Sequence, residues 1–269
     1  MGATGRFDEN LRSKYRSIRQ GPSLSLILPM YNEEPRIVST LDAVEDILDQ
    51  LGGEAYEIII AEDGSRDGTD KLARKLAEQR EKIFHLHSDT RLGRGLALKN
   101  ALTMAKGSKL VYMDADLATN PKCLHNLVES MKQADMVIGS RYVQGSRVKR
   151  PLIRNLASIA YNLLVRLIFK DGVSDHQCGF KGFRRSLLDD ILDSVFSHGW
   201  FWDTEIIIRA KRKGYSVVEI PVEYTEPDER KSKTNLYRDT ARMALGLLRL
   251  WFNLHFSSEP ALAVSHRTR

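Results

Sequence analysis

Short apolar runs alternate with longer helical patterns along the first half of the chain. The apolar runs lie at residues 25–28, 56–61, 83–86, 110–113 and 136–139. The intervening segments show helical spacing at 34–51, 67–80, 95–106 and 121–133. This alternation predicts βαβ units, and therefore an α/β chain with a mostly parallel sheet flanked by helices. We expect the first strand to stop at Pro29, since proline cannot donate to a strand ladder.

Acidic side chains follow three of these runs. Asp114 and Asp116 come directly after the fourth run, Glu62 and Asp63 after the second, and Glu33 shortly after the first. In such sheets ligands bind beyond the carboxyl ends of the strands. Hard carboxylate oxygens suit Mg²⁺ or Mn²⁺, ions that also bind substrate phosphates. A capped turn of solvated acids is the alternative at 114–116, but its position after a buried strand favours a cation site.

Basic charge is concentrated in one stretch. Residues 141–170 hold seven Lys or Arg and no acid, which more than accounts for the net charge of +6. Residues 152–169 are apolar on most sides of a predicted helix, and residues 235–256 repeat the design. The first helix carries one polar stripe, formed by Arg154, Ser158, Asn162 and Arg166. Either helix could lie in a membrane interface or be buried against the rest of the protein or a dimer partner.

Composition narrows the class of protein. Apolar residues are 42% and charged residues 28%, an ordinary globular balance. Two cysteines cannot form a disulfide framework or a four-ligand zinc site, which favours a reducing compartment. Residues 1–21 lack the apolar core of a signal peptide, and no window of 18 uncharged apolar residues predicts a transmembrane helix. Nucleic-acid binding would explain the basic charge but not the acidic centre, so we expect no nucleic-acid partner.

Seven short motifs carry a family resemblance over about residues 23–235. They are Pro29-x-Tyr31-Asn32-Glu33, Asp63-Gly64-Ser65-x-Asp67-Gly68-Thr69, Asp114-x-Asp116, Gly139-Ser140-Arg141-Tyr142, Gln177-Cys178-Gly179-Phe180, Asp203-x-Glu205 and Ser232-Lys233. Together, and in this order, they resemble family 2 glycosyltransferases. The most similar branch makes dolichyl-phosphate or polyprenyl-phosphate sugars. The resemblance implies a GT-A fold, with a Rossmann-like sheet and C-terminal amphipathic interface helices.

The resemblance also implies roles for individual residues. Nucleotide-binding positions are Pro29, Tyr31, Glu33, Glu62, Asp63 and Ala115. Ligands for Mg²⁺ or Mn²⁺ on the donor diphosphate are Asp114 and Asp116. Positions that grip the diphosphate or a lipid phosphate are Arg141, Arg154, Ser158, Arg230 and Lys233. Catalytic positions are Arg141, which offsets charge on the leaving group, and Asp175. Sugar-binding positions or alternative bases are Asp203 and Glu205.

Three departures from the family pattern affect these expectations. The acidic pair that opens the second motif is usually Asp-Asp, and here it is Glu62-Asp63. Mannosyl-phosphate synthases place a Gln where this chain has Ala118, and residues 114–119 look more like the glucosyl-phosphate branch. Several relatives carry C-terminal transmembrane helices, and we do not expect such helices from this sequence. That last departure assigns membrane attachment to the two amphipathic helices.

The expected reaction is inverting transfer of a hexose from UDP-glucose or GDP-mannose to dolichyl or polyprenyl phosphate. Asp175 is expected to orient the sugar or acceptor, because a phosphate nucleophile is already ionised near neutral pH. The expected organisation is a basic leader (1–22), a catalytic domain (23–234), and an amphipathic helix with a tail (235–269). The expected location is the cytoplasmic face of a membrane, and a membrane-anchoring subunit or homo-oligomer remains open.

Two alternatives stay open at this point. A family 2 enzyme could instead act on a sugar hydroxyl. In that case Asp175, Asp203 or Glu205 would be the candidate general base that removes the hydroxyl proton. A nucleotide-sugar nucleotidyltransferase would also use acidic metal ligands. It should carry a Gly-rich, Lys-containing loop after the first strand, where this chain has Pro29 to Glu33.

Overall fold

The computed structural model describes residues 6–7, 21–51, 55–227 and 236–256. The strands there are β1 (Arg6–Phe7), β2 (Leu24–Met30), β3 (Tyr56–Glu62), β4 (Ile83–His87), β5 (Lys109–Met113), β6 (Met136–Ser140), β7 (Arg147–Lys149), β8 (Phe180–Arg184), β9 (Val217–Pro221) and β10 (Glu223–Thr225). The helices are α1 (Ile37–Gln50), α2 (Thr69–Gln79), α3 (Arg94–Met104), α4 (Cys123–Ser130), α5 (Leu152–Phe169), α6 (Arg185–Ile191), α7 (Trp202–Arg212) and α8 (Leu236–Phe256).

Eight strands form one sheet in the order β1-β4-β3-β2-β5-β8-β6-β9. Neighbours β4, β3, β2 and β5 are parallel, and so are β6 and β9, whereas β8 runs antiparallel to both β5 and β6. Strand β1 pairs antiparallel with β4 at one edge. A separate two-stranded ribbon joins β7 to β10. The sheet is therefore mostly parallel, as the sequence predicts.

Helices cover both faces of the sheet, and this is why its strands are apolar throughout. Alternate residues of β2 divide between the two faces: Leu26 and Leu28 join one core cluster, and Ile27 joins the other. The first cluster packs against α1, α2 and α4. The second packs against α3, α6 and α7. Helix α5 contributes to neither cluster.

All five strands expected from the sequence form, with ends shifted by one or two residues. The expectation that the first strand stops at Pro29 is wrong, because β2 continues to Met30. Strand β5 pairs with β2 only as far as Ile27, so Pro29 does not have to donate to that neighbour. The later strands were not predicted. Of these, β8 matters most, because it inserts antiparallel between β5 and β6.

Helix α5 forms where it is expected, and the middle of its polar stripe, Ser158 and Asn162, faces inward, whereas Arg166 is exposed. Ser158 and Asn162 are buried at 6% and 3% exposure. Seven apolar side chains on the other sides are at least 43% exposed: Leu152, Ile153, Leu156, Ile159, Leu163, Leu164 and Leu167. Among the described residues, α5 is the one helix long and apolar enough to span a membrane, although only 17% of it is buried. This helix carries two charged residues, Arg154 and Arg166, so it is not a window of 18 uncharged apolar residues.

The chain divides into two compact units after Lys233. The second unit contains α8, the 21-residue helix predicted at 235–256. Apolar side chains are exposed along it, at Leu245, Leu248, Phe252 and Phe256. Its basic residues Arg242 and Arg249 are also exposed.

Candidate active site

Asp114 lies at the end of β5 in direct contact with an arginine. Arg94, in the first turn of α3, donates to Asp114 Oδ1 from Nη2 at 2.7 Å and from Nε at 3.2 Å. The Asp114 side chain remains 30% exposed, whereas Arg94 is 10% exposed. The guanidinium of Arg94 thus contacts the predicted metal ligand directly.

The chain turns immediately after Asp114. Leu117 has φ of 53°, and Asp116 Oδ1 accepts a hydrogen bond from the Ala118 amide at 3.1 Å. Ala115 is buried, and its carbonyl accepts a hydrogen bond from Thr40 at 2.7 Å. These contacts fix the backbone that carries both carboxylates.

The space beside Asp114 depends on Gly179. A Cβ built at Gly179 would overlap the Asp114 carboxylate, so only glycine leaves both oxygens in place. The Asp114 amide also donates to the Gly179 carbonyl at 2.9 Å. Asp114 and Asp116 are both half-buried and offer carboxylate oxygens as ligands, which fits a hard ion such as Mg²⁺ or Mn²⁺.

Asp203 lies behind this pair as a buried acceptor. Arg94 Nη1 and the Tyr112 hydroxyl both donate to it, and Lys181 Nζ donates at 2.7 Å. Burial opposes its ionisation, but the charges of Arg94 and Lys181 outweigh that effect and hold the pKa of Asp203 below its usual value. Asp203 is 2% exposed and committed to three donors, so its present contacts serve to position Arg94.

Arg141 and Asp175 form a second buried ion pair. Arg141 donates to Asp175 from its backbone amide at 3.1 Å, from Nε at 2.7 Å and from Nη2 at 2.8 Å. Asp175 has no exposed surface, whereas Arg141 is 8% exposed. Desolvation would raise the pKa of Asp175, but the Arg141 charge holds it below its usual value. The carboxylate thus fixes the guanidinium of Arg141 at the end of β6.

The first motif forms a loop joined to the second motif. Asn32 lies in the left-handed region with φ of 54°, and its backbone amide donates to Ser65 Oγ at 3.0 Å. The Glu33 amide donates to Thr69 Oγ1 at 2.8 Å. The Arg91 guanidinium stacks 3.9 Å from the centre of the Tyr31 ring. Pro29 is half-buried at the end of β2. Tyr31, Glu33 and Pro29 therefore share one edge of the sheet.

Glu62 and Asp63 are buried, at 2% and 5% exposure. Glu62 accepts a hydrogen bond from the Ser65 amide, and its other oxygen lies 2.6 Å from His87 Nδ1. Asp63 accepts from the Leu92 and Gly93 amides at 2.6 and 3.1 Å. Burial raises the pKa of Asp63 in spite of these bonds. The pair holds two loops at the edge where the nucleotide is predicted to bind.

Of the predicted phosphate-binding residues, two lie at the inner face of α5. Arg154 pairs with Glu226, which also accepts from Arg150 Nε at 3.1 Å. Arg150 Nη1 donates to Ser158 Oγ at 2.9 Å. These contacts thus tie α5 to neighbouring segments of the first unit. Arg230 and Lys233 lie outside the described residues.

Glu205 is fully buried, and its carboxylate binds backbone amides of the loop before α7. It accepts hydrogen bonds from the Phe196 and Ser197 amides at 3.2 and 3.0 Å, and from Arg209 Nε at 2.8 Å. With 0% exposure it has no surface to offer a ligand. Its contacts are those of a structural ion pair.

The sequence did not single out Arg94, Lys181 or Tyr112 as members of this centre. Lys181 is fully buried and also donates to the Cys178 carbonyl at 2.5 Å. One feature of the sequence could have indicated it: Lys181 lies between Phe180 and Phe183 in an apolar segment. A lysine is almost never fully buried without a partner, so a buried position there would predict an acidic partner. Only the antiparallel placement of β8 beside β5 identifies that partner.

Curated proteins with similar sequences are glycosyltransferases. Glycosyltransferase AglD of Haloferax volcanii is 43% identical over 237 residues, which cover 87% of this chain and 38% of that protein. The dolichyl-phosphate beta-glucosyltransferase ALG5A of Trichomonas vaginalis is 33% identical over 238 residues, covering 84% and 72%. The dolichyl-phosphate beta-glucosyltransferase of Saccharomyces cerevisiae is 29% identical, covering 84% and 73%. The chain therefore spans less than half of AglD and about three quarters of the other two.

Solved structures share the fold. Glucosyl-3-phosphoglycerate synthase from Mycobacterium tuberculosis, in complex with phosphoglyceric acid, matches with a TM-score of 0.65 at 19% identity over 89% of this chain and 82% of that one. The same enzyme with Mn²⁺, uridine diphosphate and glucosyl-3-phosphoglycerate gives 0.62 at 19% identity, over 89% and 82%. These matches confirm the expected GT-A type architecture.

The match to a family model covers the elements that build the candidate site. Residues 25–192 match glycosyl transferase family 2, from β2 to the end of α6. This span is more than half of the chain and includes Asp114, Arg141 and Asp175. The chain therefore belongs to glycosyl transferase family 2.

Proposed function

We propose that the chain transfers glucose from UDP-glucose to the phosphate of dolichyl or another polyprenyl phosphate, with inversion at the anomeric carbon. One observation carries this proposal: α5 places an exposed apolar surface beside a buried, charged centre. Asn162 on the inner face of α5 accepts the His176 amide at 3.0 Å, and His176 is adjacent to Asp175 in the chain. An acceptor with a phosphate head and a long apolar tail matches both surfaces.

The relatives support this choice of acceptor and donor. Two of those described above are dolichyl-phosphate beta-glucosyltransferases, and the 43% identity to AglD adds a third glycosyltransferase. The sequence feature in favour of glucose is Ala118, where mannosyl-phosphate synthases are expected to have Gln. GDP-mannose is therefore the competing donor, and the assay below separates the two.

A divalent ion belongs to this proposal. Asp114 and Asp116 would hold Mg²⁺ or Mn²⁺, and the ion when bound supplies positive charge against the donor diphosphate. Arg94 orients the Asp114 carboxylate through two hydrogen bonds to Oδ1. Asp203 in turn fixes Arg94.

Arg141 stabilises the negative charge that grows on the departing nucleoside diphosphate. Its guanidinium is 5% exposed and is already oriented by Asp175, so little reorganisation is needed during the reaction. Asp175 is thus a positioning residue. Neither Asp175 nor Glu205 offers an exposed oxygen that could remove a proton from an acceptor.

The acceptor needs no strong base. A phosphate monoester loses its second proton with a pKa of about 6, so the attacking oxygen is already ionised near neutral pH. This oxygen forms the new bond to the anomeric carbon, while the bond from that carbon to the diphosphate oxygen breaks on the opposite face. The products are a polyprenyl-phosphate sugar and a nucleoside diphosphate.

The exposed face of α5 is proposed to lie in the membrane interface at the cytoplasmic side. Ser158 and Asn162 join the helix to Arg150 and His176, so it cannot leave the domain to span a bilayer without breaking those contacts. The exposed basic residues Lys149, Arg166 and Lys170 flank the apolar face. Each basic residue near an anionic surface contributes about 1 kcal/mol of attraction.

The test is a product assay with the purified protein. Dolichyl phosphate, Mg²⁺ or Mn²⁺, and either UDP-glucose or GDP-mannose are incubated separately, and the glycolipid is extracted and identified by mass spectrometry. We expect a metal-dependent glucolipid that Asp114→Asn abolishes and that exposed Asp193→Asn preserves. Product from GDP-mannose alone would overturn the donor assignment. Nucleotide release only with a sugar or glycan would overturn the phosphate acceptor.

A further inference from the structure

Two histidines and two carboxylates meet at the edge of the sheet, away from Asp114 and Asp116. We propose that a first-row transition metal ion, with Zn²⁺ as the best match, binds this histidine–carboxylate cluster: Glu62, Asp70, His85 and His87. None of the roles proposed above uses Asp70 or either histidine. The site is separate from the oxygen-only pair at the end of β5 and differs from it in ligand chemistry.

The fold brings the four residues together from three elements. His85 and His87 alternate along β4 and therefore point to the same side of the sheet. The parallel register pairs Ile60 with His85 and Ala61 with Leu86, so Glu62 comes next, beside His87. Asp70 lies in the first turn of α2, which packs on this same face through Ala73 and Ala77.

The distances fit a single ion. One ligand atom from each of the four residues can be chosen so that all lie within 4.8 Å of one another. His87 Nδ1 is 2.6 Å from Glu62 Oε2 and 3.1 Å from Asp70 Oδ1, and His85 Nε2 is 3.8 Å from the same Asp70 oxygen. Ligands at the Zn–N and Zn–O distances of about 2.0–2.1 Å in a tetrahedron are about 3.4 Å apart. The three separations given above differ from this value by less than about 1 Å.

The chemistry of the cluster favours a transition metal over Mg²⁺. Imidazole nitrogens suit zinc and its neighbours, whereas Mg²⁺ prefers oxygen ligands and retains water. Two carboxylates also balance the charge of a divalent ion. The Glu62 side chain is fully buried and His85 is 2% exposed, while Asp70 and His87 are 30% and 26% exposed. The cluster thus has two fixed inner ligands and an open side through which an ion can enter.

An ion here would anchor the loops of the proposed nucleotide edge. Glu62 uses its other oxygen to accept the Ser65 amide, and Ser65 Oγ accepts the Asn32 amide. Fixing Glu62 would therefore hold both loops in register. The role is structural and positional, and it requires no participation in the transfer reaction.

The test is zinc binding by the full chain after chelator treatment and dialysis. We expect about one high-affinity Zn²⁺ per chain by equilibrium dialysis with elemental analysis, and Co²⁺ in its place should give the visible absorption of a tetrahedral site with nitrogen ligands. A hundredfold excess of free Zn²⁺ over its Kd should raise Tm by roughly 5 °C, and Mg²⁺ at the same concentration should not.

Variants locate the ion. His87→Gln and Asp70→Asn should each weaken zinc binding by on the order of 100-fold, because even an outer-shell partner of a metal ligand is worth 10–100-fold. His125→Gln, a half-buried histidine on α4, is the matched control and should bind like the parent protein. Circular dichroism checks that each variant is folded, and both cluster residues changed here are partly exposed.

Three results would overturn the proposal. The first is no stoichiometric Zn²⁺ in the parent chain. The second is unchanged binding in folded His87→Gln and Asp70→Asn. The third is loss of zinc in Asp114→Asn with the cluster intact, which would place the ion at the aspartate pair. None of these results bears on the proposed transferase activity, which the product assay tests separately.

Discussion

Gly179 sets the space available to the Asp114 carboxylate. Gly179→Ala would drive a methyl group into that carboxylate and displace it. We expect about 100-fold lower kcat with the fold retained, since a displacement of about 1 Å in an active site can cost that much. Gly199→Ala is the matched control, because a Cβ there meets nothing within 4 Å. Steady-state kinetics checks the pair, and equal activities would contradict the role given to Gly179.

Asp175 provides a second test at the level of one residue. Its contacts fix Arg141, so Asp175→Asn should lower kcat by between about ten- and 100-fold through a misplaced guanidinium. The pH profile above pH 5 should keep its shape, because the pKa of Asp175 lies below its usual value and the group does not titrate there. Asp193→Asn, which is fully exposed, is the control.

The opposite result for Asp175 is well defined. If Asp175→Asn lost as much activity as Asp114→Ala while donor binding stayed intact, Asp175 would act directly in the reaction. Rate measurements from pH 5 to 9 with isothermal titration of the donor separate the two cases. The comparison matters because the sequence resemblance alone places Asp175 among catalytic residues.

At the level of elements, the amphipathic pattern of α5 does not define which side of the helix is buried. The sequence shows the helical spacing of the polar stripe. This spacing is compatible with a helix that buries its polar side and with one that buries its apolar side. The structure buries the polar side because Ser158, Asn162 and Tyr161 find partners in Arg150, His176 and Thr204. The apolar side is left outside, which is the reverse of a soluble surface helix.

This orientation predicts how the helix acts on membranes. Leu156→Glu with Leu167→Glu should reduce sedimentation with vesicles of phosphatidylcholine and phosphatidylserine several-fold, because both side chains are more than 60% exposed. The urea midpoint should change little, as no buried contact is lost. Val38→Glu, an exposed apolar site on α1, is the control. Unchanged sedimentation of the double variant would remove α5 from the proposed membrane surface.

At the level of the whole molecule, stability depends on buried carboxylates that are ionised. Asp175 and Asp203 both have folded pKa values below their usual value, because neighbouring Arg and Lys charges outweigh the effect of burial. Such groups stabilise the fold fully above their unfolded pKa of about 3.9, and that stability is lost as pH falls through the folded pKa. We expect the urea midpoint to fall steadily from about pH 5 downward. A midpoint that stayed constant to pH 3 would contradict this.

Much of the first half of the fold was predictable because it rests on local patterns. The five strands expected between residues 25 and 139 form, since each is a short apolar run between turn residues. The later strands were missed because β8 contains Lys181 and Arg184 and shows no clean alternation. The position of β8 in the sheet depends on its pairing with β5 and β6, and both strands are distant from β8 in the sequence.

Residue type and spacing within single segments were enough to predict the α/β class, the carboxylates that follow β5, the basic stretch and the amphipathic nature of α5. Tertiary structure alone decided the partners: Arg94 with Asp114, Arg141 with Asp175, and His87 with Glu62. It also decided which side of α5 is buried against the domain. The physical reason is that a charge or polar stripe needs a partner, and the identity of that partner depends on which distant strands and helices the sheet order brings together.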